Sequence, residues 1–338
     1  MTHLSGSHEP PATMHGLVQT SYDGPDDLVL VEDLAVPSPG PGEYLIKVGA
    51  AGLNFADVMR SRGSYAGGPA PAYVAGFEAA GEVVAVGGDI ADPVPVGAHV
   101  IGTGPGAFAQ YLVMPATTAV PVPPGWSDAA SLGLVLNWAT ALAAVRSLGN
   151  VAAGDWVLVH AAAGGVGQAA VRLARHYGAR VVATASRHKR DVVTELGAEI
   201  VLDRDTPDLA AEILRRTGGV DLVLESVGRA TFGTSLAVAR PITGRVIVFG
   251  AASGDAAVDT HQLVFEHRVQ VKGLHIGALA ELAPDLYAAV LDELAELIAL
   301  GVCPPGAPDL HRLADGPAAL RALASGRTVG KLALDPWT

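Results

Sequence analysis

The chain has 338 residues, 50% of them hydrophobic, with 41 glycines, 23 prolines and a formal net charge of −12 at pH 7. This length predicts about two domains, each with a sizeable core. The acidic balance argues against a nucleic-acid partner, because such proteins present a basic face to the phosphates. The single cysteine, Cys303, excludes a disulfide within the chain and a zinc site built from several cysteines.

The N-terminal residues and one apolar run bear on localisation. Residues 1–13 are polar, lack the regions of a signal peptide and are expected to form a flexible tail. Residues 129–145 approach the length of a membrane span, but this run is rich in alanine and contains Asn137 and Thr140. A buried helix is the favoured interpretation, so we expect a cytoplasmic protein without a membrane association.

The pattern of elements changes twice along the chain. Over residues 14–136, short β-like runs are separated by glycine and proline, which is typical of a folded β domain. Over residues 137–272, apolar strands alternate with helical segments, which predicts a parallel sheet covered on both faces. An amphipathic helix over residues 286–300 and a closing strand in "RTVGKLALDP" follow. We therefore expect the α/β domain to be inserted into a β domain formed by residues 14–136 and 273–338.

A glycine-rich turn follows the first strand of the α/β region. The spacing Ala162-x-Gly164-x-x-Gly167 connects "WVLV" to a helix, which is the context of a dinucleotide site. Gly164 would let the backbone approach a pyrophosphate, which the free N–H groups of the helix N-terminus would bind. Gly167 would let the helix pack closely on the strand. Ala162 stands where a glycine is usual, and a plain strand–helix connection remains the alternative.

The end of the next strand indicates which dinucleotide is bound. It ends in "TAS", without the acidic residue that accepts hydrogen bonds from the ribose of NAD. Ser186 is able to donate to a 2′-phosphate, and Arg187 and Lys189 would supply positive charge. Cations at a helix N-terminus oppose its dipole, so a bound phosphate explains them better than a solvated helix start does. The sequence therefore predicts NADPH rather than NADH.

Six segments carry a family resemblance: in chain order, they are "GLNFADVMRSRGSY", "GFEAAGEVVAVG", "HAAAGGVGQAAVRLA", "LESVGRATF", "VIVFGAASG" and "SGRTVGKLAL". Together they resemble the zinc-independent quinone oxidoreductases, or zeta-crystallin-like proteins, of the medium-chain dehydrogenase/reductase superfamily. The resemblance implies a GroES-like β-rich catalytic domain with an inserted Rossmann domain, whose doubly wound parallel sheet binds NADPH. It also implies a homodimer paired near residues 269–277.

The same resemblance argues against a metal site. Zinc-dependent relatives carry a cysteine ligand in the first segment and a histidine in the second, where Asn54 and Phe77 stand here. Alcohol oxidation on the zinc pattern would then lack a group that stabilises an alkoxide. A metal-free NADPH site is suited to hydride transfer to an acceptor already activated by conjugation.

Candidate site residues follow from matching the segments. The resemblance places Asn54 and Tyr65 at the nicotinamide, with Tyr65 either a proton donor or an aromatic that only lines the pocket, while Asp57 is expected to brace the segment. Further cofactor contacts are expected from Thr140 in the nicotinamide pocket, Gly165 and Val166 at the pyrophosphate, Arg204 towards the 2′-phosphate, Phe249, Gly250 and Ala251 near the nicotinamide, and Lys331 at a phosphate or ribose. Lys331 is equally well explained as a surface lysine.

The expected activity is NADPH-dependent reduction of a small conjugated acceptor, with a quinone as the first candidate. An enoyl thioester or another activated alkene requires the same hydride geometry and stays open. Arg60 and Arg62 would suit the phosphates of a carrier-bound thioester. A third alternative is an NADPH-binding sensor without turnover, although the combination of Asn54, Tyr65 and the phosphate turn favours an enzyme.

Overall fold

The computed structural model describes residues 10–338, so most of the expected tail, residues 1–13, lies outside the described residues. The first strand already begins at Thr13. The chain forms two compact units. Unit 1 comprises the described residues up to Leu132 together with Pro305–Thr338, and unit 2 comprises Gly133–Pro304.

The strands of residues 10–338, numbered in chain order, are β1 (Thr13–Gln19), β2 (Leu28–Ala35), β3 (Glu43–Leu53), β4 (Tyr73–Val74), β5 (Glu78–Val86), β6 (His99–Thr103), β7 (Tyr111–Pro115), β8 (Val120–Pro121), β9 (Trp156–Val159), β10 (Arg180–Ala185), β11 (Ile200–Asp203), β12 (Leu222–Glu225), β13 (Arg245–Val248), β14 (Gln270–Gly273), β15 (Asp309–Arg312) and β16 (Leu332–Asp335).

The α-helices of the same residues are α1 (Phe55–Ser61), α2 (Asp128–Ser131), α3 (Ala139–Leu142), α4 (Gly165–His176), α5 (Arg190–Glu195), α6 (Leu209–Thr217), α7 (Phe232–Val238), α8 (Ile276–Leu282), α9 (Pro284–Ala299) and α10 (Gly316–Ala324). Wider π turns flank α3 at Leu134–Trp138 and Ala143–Ser147, and a third covers Gln262–His267. Short 3₁₀ turns cover Pro25–Asp27, Ala116–Thr118, Arg187–Lys189 and Leu313–Asp315.

Unit 1 is the β-rich domain that the sequence predicts. Its larger sheet has the order β15-β16-β3-β5-β6-β8, with β7 paired to β3, and a smaller sheet has the order β2-β1-β4. The long strand β3 is mostly buried because its sequence, EYLIKVGAAGL, is almost entirely apolar or small. It pairs antiparallel with both β16 and β5, so the chain's last strand closes onto its early strands. The GroES-like domain is thus assembled from the two ends of the chain.

Unit 2 contains a parallel six-stranded sheet with the order β11-β10-β9-β12-β13-β14. Strands β9 and β12 are buried along their whole length, as expected of central strands covered by helices on both faces. The strand order reverses at β9 and β12, where open α/β sheets bind their ligands beyond the carboxyl ends. This confirms the predicted doubly wound Rossmann sheet.

The boundaries between the units differ from the sequence-based assignment for residues 133–136 and 273–304. The sequence pattern assigns these residues to the β domain, whereas the compact units place them with the parallel sheet. The physical reason lies in α9, whose apolar face (Val290, Leu294 and Leu297) is buried. On the same helix, Glu293 accepts hydrogen bonds from the Tyr177 hydroxyl at 2.6 Å and from Arg146 at 3.3 Å. The amphipathic helix is therefore part of unit 2.

One helical stretch of the described residues, Asp128–Ser147, is long and apolar enough to cross a membrane, with a mean hydropathy of 1.4. In its most apolar window, 67% of the residues are buried within the protein, and core helices commonly pass the same test. The stretch is also divided into α2, α3 and two π turns. Burial therefore favours the core helix that the sequence predicts.

Candidate active site

The register of three strands gathers polar groups around Asn54 in unit 1. Asn54 lies between the end of β3 and the start of α1. Leu332 of β16 pairs with Leu53, which places the preceding residue, Lys331, opposite Asn54. On the other side of β3, Ala79 pairs with Ala51, so Glu78 at the start of β5 lies beside Gly52. Residues from both ends of the chain thus meet at one strand end.

Asn54, Glu78 and Lys331 form a hydrogen-bonded network. The Asn54 side-chain amide donates to Glu78 Oε2 at 2.8 Å, and its Oδ1 accepts from Lys331 Nζ at 2.7 Å. Lys331 also pairs with the Glu78 carboxylate, and their side chains are 12% and 0% exposed. Such a buried pair strongly penalises the loss of either partner. Because its amide bonds to both charges, Asn54 is held in one orientation.

Glu78 is a site residue that the sequence motifs did not identify. The available signal was a carboxylate at the start of an otherwise apolar and small segment, EAAG. A side chain at Gly52 would place its Cβ 2.3 Å from Glu78 Oε2, so a glycine is required beside the carboxylate. Lys331 is bound within this network and is not a freely exposed surface lysine.

Asp57 braces the same segment, as expected. Its Oδ2 accepts a hydrogen bond from the Asn54 backbone N–H at 2.8 Å, while Oδ1 is buried without a hydrogen-bond partner. Burial raises the pKa of Asp57 to about 7, although the hydrogen bond from Asn54 and the charges of Arg60 and Lys331 act in the opposite direction. This carboxyl group therefore titrates near neutral pH.

Tyr65 lies after α1, against an arginine. The Arg60 guanidinium carbon is 5.0 Å from the centroid of the Tyr65 ring and 4.2 Å from that of Phe77. Burial raises the pKa of Tyr65 above its ordinary value, and the charge of Arg60 lowers it in part. The phenol is therefore protonated at neutral pH, the form required of a proton donor.

Phe77 occupies the position where the zinc-dependent relatives have a histidine ligand, and its ring packs on Arg60. Across residues 10–338, no group of three or more His, Cys, Asp or Glu side chains is placed to hold a metal ion.

The glycine turn of unit 2 joins β9 to α4 at the reversal of strand order. Ala161 adopts a left-handed conformation with φ 49°, and its carbonyl accepts a hydrogen bond from the Gly164 N–H at 3.0 Å. The residue with positive φ is thus Ala161 and not Ala162, where a glycine is usual. Ala162 is fully buried and needs no left-handed backbone, which explains why an alanine is accepted there.

Two glycines of this turn are glycines for different reasons. A Cβ at Gly167 would lie 2.5 Å from the Ala161 carbonyl oxygen, so close packing of α4 requires a glycine there. A Cβ at Gly164 would meet no protein atom nearer than 3.4 Å, and its φ of −82° suits any residue. Protein packing therefore does not explain Gly164. The first N–H groups of α4, at Gly165 and Val166, are of the kind that binds a pyrophosphate.

The residues after β10 fit a phosphate ester. Ser186 Oγ is buried and has no hydrogen-bond partner within the described residues, which is costly for a hydroxyl. Lys189 is only 8% exposed, and its pKa is lowered first by burial and then by the charge of Arg204. A dianionic phosphate would accept a hydrogen bond from the Ser186 hydroxyl, and it would compensate the neighbouring positive charges of Lys189 and Arg204.

Arg187 and Arg204 are more exposed than Lys189. The Arg187 side chain is 91% exposed, with its Nε 3.3 Å from Asp203 Oδ2. Arg204 lies 3.7 Å from Asp205, and its backbone N–H donates to the Ala185 carbonyl next to Ser186. A cavity of about 590 Å³ opens beside Arg187 and Asp203. The four predicted phosphate-binding residues thus lie at the carboxyl ends of β10 and β11.

The predicted nicotinamide contacts of unit 2 follow β13 and lie in α3. The Phe249 N–H donates to the Glu225 carbonyl at 2.9 Å, which ties this segment to the end of β12. A Cβ at Gly250 would lie 2.7 Å from the Ser226 carbonyl oxygen, so the two segments approach closely. Ala251 follows, and Thr140 is 8% exposed.

Asn137 is a second residue that the sequence motifs did not assign to the site. Its Oδ1 would lie 2.8 Å from a Cβ at Gly165, so its side chain lies against the glycine turn. The signal was a single amide in an apolar run, which at the level of sequence argued only against a membrane span.

A buried polar cluster lies at the point in the parallel sheet where the strand order reverses. His160 Nδ1 lies 2.9 Å from Thr184 Oγ1, and its Nε2 lies 4.0 Å from Glu225 Oε2. Glu225 accepts hydrogen bonds from the N–H groups of Val227 and Gly228 at 2.7 and 2.9 Å. This cluster holds the loops after β9 and β12 in position, which is a structural role.

Two family models match the chain. The alcohol dehydrogenase GroES-like domain matches residues 40–124, and the zinc-binding dehydrogenase domain matches residues 165–296.

Among curated proteins, the chain is 34% identical over 325 residues to a phenolphthiocerol/phthiocerol polyketide synthase of Mycobacterium tuberculosis. The match covers 94% of this chain but only 14% of the synthase, so the chain spans a small part of that relative's length.

Solved structures match over almost the whole chain. A mycobacterial protein complexed with NADPH is 32% identical with a TM-score of 0.88, and the Pseudomonas syringae pv. Tomato DC3000 quinone oxidoreductase is 31% identical with a TM-score of 0.89; each match covers 96% of this chain and 100% of the other. The CurK enoyl reductase is 29% identical with a TM-score of 0.86, covering 96% of this chain and 99% of the other.

Proposed function

The chain belongs to the zinc-independent quinone oxidoreductases of the medium-chain dehydrogenase/reductase superfamily, and from this premise we propose that it reduces a conjugated acceptor with NADPH. The observation that carries the proposal is the contrast within the glycine turn. Packing requires a glycine at Gly167 but not at Gly164, the N-cap of α4, where a Cβ would make only an ordinary contact with the Ala161 carbonyl oxygen at 3.4 Å. A glycine at this N-cap would let a dinucleotide pyrophosphate approach the helix N-terminus closely.

NADPH is the cofactor, as in the mycobacterial relative. Gly164, Gly165 and Val166 would hold its pyrophosphate. The unpartnered Ser186 hydroxyl, together with Arg187, Lys189 and Arg204, would hold the 2′-phosphate. Thr140, Phe249, Gly250, Ala251, Asn54 and Lys331 are the proposed contacts to the remainder. When bound, NADPH supplies the hydride of the reaction.

Within unit 1, Asn54 and Tyr65 act on the acceptor. Reduction adds a hydride to one end of the conjugated system, and the negative charge that develops at the other end takes up a proton. Tyr65 holds such a proton on its hydroxyl oxygen at neutral pH, because burial keeps its pKa above the ordinary value. After transfer, the phenolate would regain a proton from water. Glu78 and Lys331 keep the Asn54 amide in one orientation.

A quinone is the first candidate acceptor, supported by the quinone oxidoreductase among the structural relatives. A second candidate is an enoyl thioester. It is favoured by the similarity to a polyketide synthase over 94% of this chain and by the likeness to an enoyl reductase. Both acceptors are conjugated carbonyl compounds, and both need a proton donor beside the site of reduction.

The test is NADPH oxidation by the purified protein with 1,4-benzoquinone and with a crotonyl thioester of N-acetylcysteamine, each corrected for the reaction without protein. We expect faster oxidation with the quinone, and slower oxidation of NADH than of NADPH. Tyr65→Phe should lower kcat, because no proton is then available at the ring. Turnover of the thioester alone would assign the second candidate. NADPH binding without turnover of either acceptor would identify a sensor and refute the proposal.

A further inference from the structure

Arg60 holds a positive charge that no acidic side chain of the described residues neutralises by direct contact. Its guanidinium carbon lies 4.2 Å from the Phe77 ring centroid and 5.0 Å from the Tyr65 ring centroid. Its Nε is buried without a hydrogen-bond partner. None of the ion pairs among residues 10–338 includes Arg60. The chain thus keeps a partly buried cation beside its candidate proton donor.

The carboxyl group on the same helix forms neither an ion pair nor a hydrogen bond with this cation. Asp57 lies one helical turn before Arg60, but its Oδ2 accepts from the Asn54 N–H and its Oδ1 has no partner. Burial raises the pKa of Asp57 to about 7, so a large fraction of it is uncharged at neutral pH. Glu78, the next carboxylate, is paired with Lys331. Neither carboxyl group therefore forms an ion pair with Arg60.

Aromatic faces stabilise an arginine without using its hydrogen-bond donors. A guanidinium stacked on a ring is attracted to the ring face, while its N–H groups point outward in its own plane. Those N–H groups match the two oxygens of a carboxylate. Contacts with two rings also restrict the long side chain, which lowers the entropic cost of binding an anion. A guanidinium placed in this way is suited to bind an anion.

We propose that Arg60 is a specificity-determining residue that binds a carboxylate carried by the acceptor itself, next to Tyr65. The inference rests on the proposed function and names the class of acceptor. Because the guanidinium carbon is 5.0 Å from the Tyr65 ring, a carboxylate bound by Arg60 lies close to the phenol. The charge is therefore attached near the conjugated bond, unlike the distant phosphates of a carrier-bound thioester.

The experiment compares kcat/KM for pairs of acceptors, each pair consisting of a carboxylate and its methyl ester. The enone pair is 3-benzoylacrylate and its methyl ester, and the quinone pair is 1,4-naphthoquinone-2-carboxylate and its methyl ester. The acid preference is the kcat/KM for the acid divided by the kcat/KM for the ester. This ratio is compared between wild type and variants, so that the intrinsic reactivity of the acceptors cancels. Arg60→Met removes the charge, Arg60→Lys keeps it, and Arg62→Met removes an exposed arginine just after α1.

We expect Arg60→Met to lower the acid preference by about tenfold or more, as for the loss of a charge-assisted hydrogen bond. The loss of kcat/KM should be smaller on the ester than on the acid, and thermal unfolding is the control for an intact fold. Arg60→Lys should keep part of the preference, and Arg62→Met should keep all of it. An unchanged preference in Arg60→Met, or an equal loss on acid and ester, overturns the inference. The failure of every acceptor in wild type would instead refute the proposed function.

A third pair identifies the source of the anion. Crotonyl-coenzyme A and the crotonyl thioester of N-acetylcysteamine differ in the phosphates of the carrier. We expect Arg60→Met to affect these two thioesters equally. A preference for the coenzyme A ester that depends on Arg60, with no such preference in the carboxylate pairs, would assign the residue to a phosphate and overturn the carboxylate assignment.

Discussion

Two carboxyl groups of unit 1, Glu78 and Asp57, lie close to Asn54 and differ in their partners. Glu78 bonds to both Asn54 and Lys331, so its charge is compensated inside the protein. Asp57 receives one backbone hydrogen bond and leaves Oδ1 without a partner. A buried carboxyl group in that state favours its neutral form. The consequence is a dependence of stability on pH that belongs to one residue.

Asp57 should make the folded protein less stable as the pH rises from acidic to neutral. Its pKa is about 7 in the folded state and about 3.9 in an unfolded chain, so the folded state binds more protons between these values. The free energy of unfolding should fall through this window by on the order of 3 kcal/mol. The groups facing the carboxyl are the Asn54 N–H, Arg60, Lys331 and Glu78.

Asp57→Asn removes this titration and keeps an oxygen that accepts from the Asn54 N–H. In urea unfolding at about pH 5 and about pH 8, the variant should gain stability relative to wild type at the higher value. The control is Asp92→Asn, at an exposed carboxylate of the same unit. Its free energy of unfolding should change with pH as that of wild type does. Parallel behaviour of the Asp57 variant would show that the carboxyl is ionised throughout.

At the scale of elements, the turn between β9 and α4 contains one glycine that packing requires and one that packing does not require. Gly167 is required by contact with Ala161, whereas a Cβ at Gly164 would make only an ordinary contact, 3.4 Å from the Ala161 carbonyl oxygen. The two positions therefore form a matched pair for substitution, three residues apart on one turn. A residue needed for packing should affect stability, and one needed for a ligand should affect affinity.

Gly164→Ala should weaken NADPH binding by about tenfold or more, because a methyl group would occupy the approach of the pyrophosphate. Its effect on stability should stay within about 1 kcal/mol, since no protein atom is displaced and φ is ordinary. Gly167→Ala should instead destabilise the protein by about 1–3 kcal/mol through overpacking. Titration of NADPH fluorescence and chemical unfolding measure the two effects. Unchanged affinity in Gly164→Ala would place the pyrophosphate elsewhere.

At the scale of the whole molecule, the parallel sheet ends in a strand whose outer edge is free within the described sheet. β14 pairs with β13 on one side only. The N–H groups of Gln270 and Leu274 donate to the β13 side, so those of Val271 and Gly273 point outward by the alternation of a strand. We propose that two copies pair along this edge about a two-fold axis, as the family resemblance implies.

Light scattering should therefore find a dimer for the wild-type protein. Val271→Pro removes an outward N–H without removing a donor to β13, and should shift the protein to a monomer. The thermal unfolding of the variant is the control for an intact fold. A monomeric wild type, or a Val271→Pro variant that remains fully dimeric, would refute pairing at this edge.

Much of the molecule was predictable from sequence, because its signals are local. The alternation of apolar strands with helices was sufficient to identify the Rossmann sheet, and the spacing of Gly164 and Gly167 was sufficient to predict a glycine-rich turn at the start of a helix. The helix expected over residues 286–300 is found at Pro284–Ala299. Its assignment to unit 2 was not predictable, because an amphipathic pattern shows that a face is buried but not which neighbour covers it.

The contacts among the polar residues of unit 1 depend on strand register and long-range packing. The pairing of β16 and β5 with β3 brings Lys331 and Glu78 to Asn54 across 277 and 24 residues of chain, respectively. No local pattern encodes such a meeting, so Glu78 was missed and Lys331 stayed ambiguous. The contacts of Arg60 with the rings of Phe77 and Tyr65 likewise depend on the fold and not on a local pattern. Sequence alone determined the fold class and the position of the glycine-rich turn, because both depend on local patterns. Tertiary structure decided which charges are buried and which are paired, because those contacts join residues far apart in the chain.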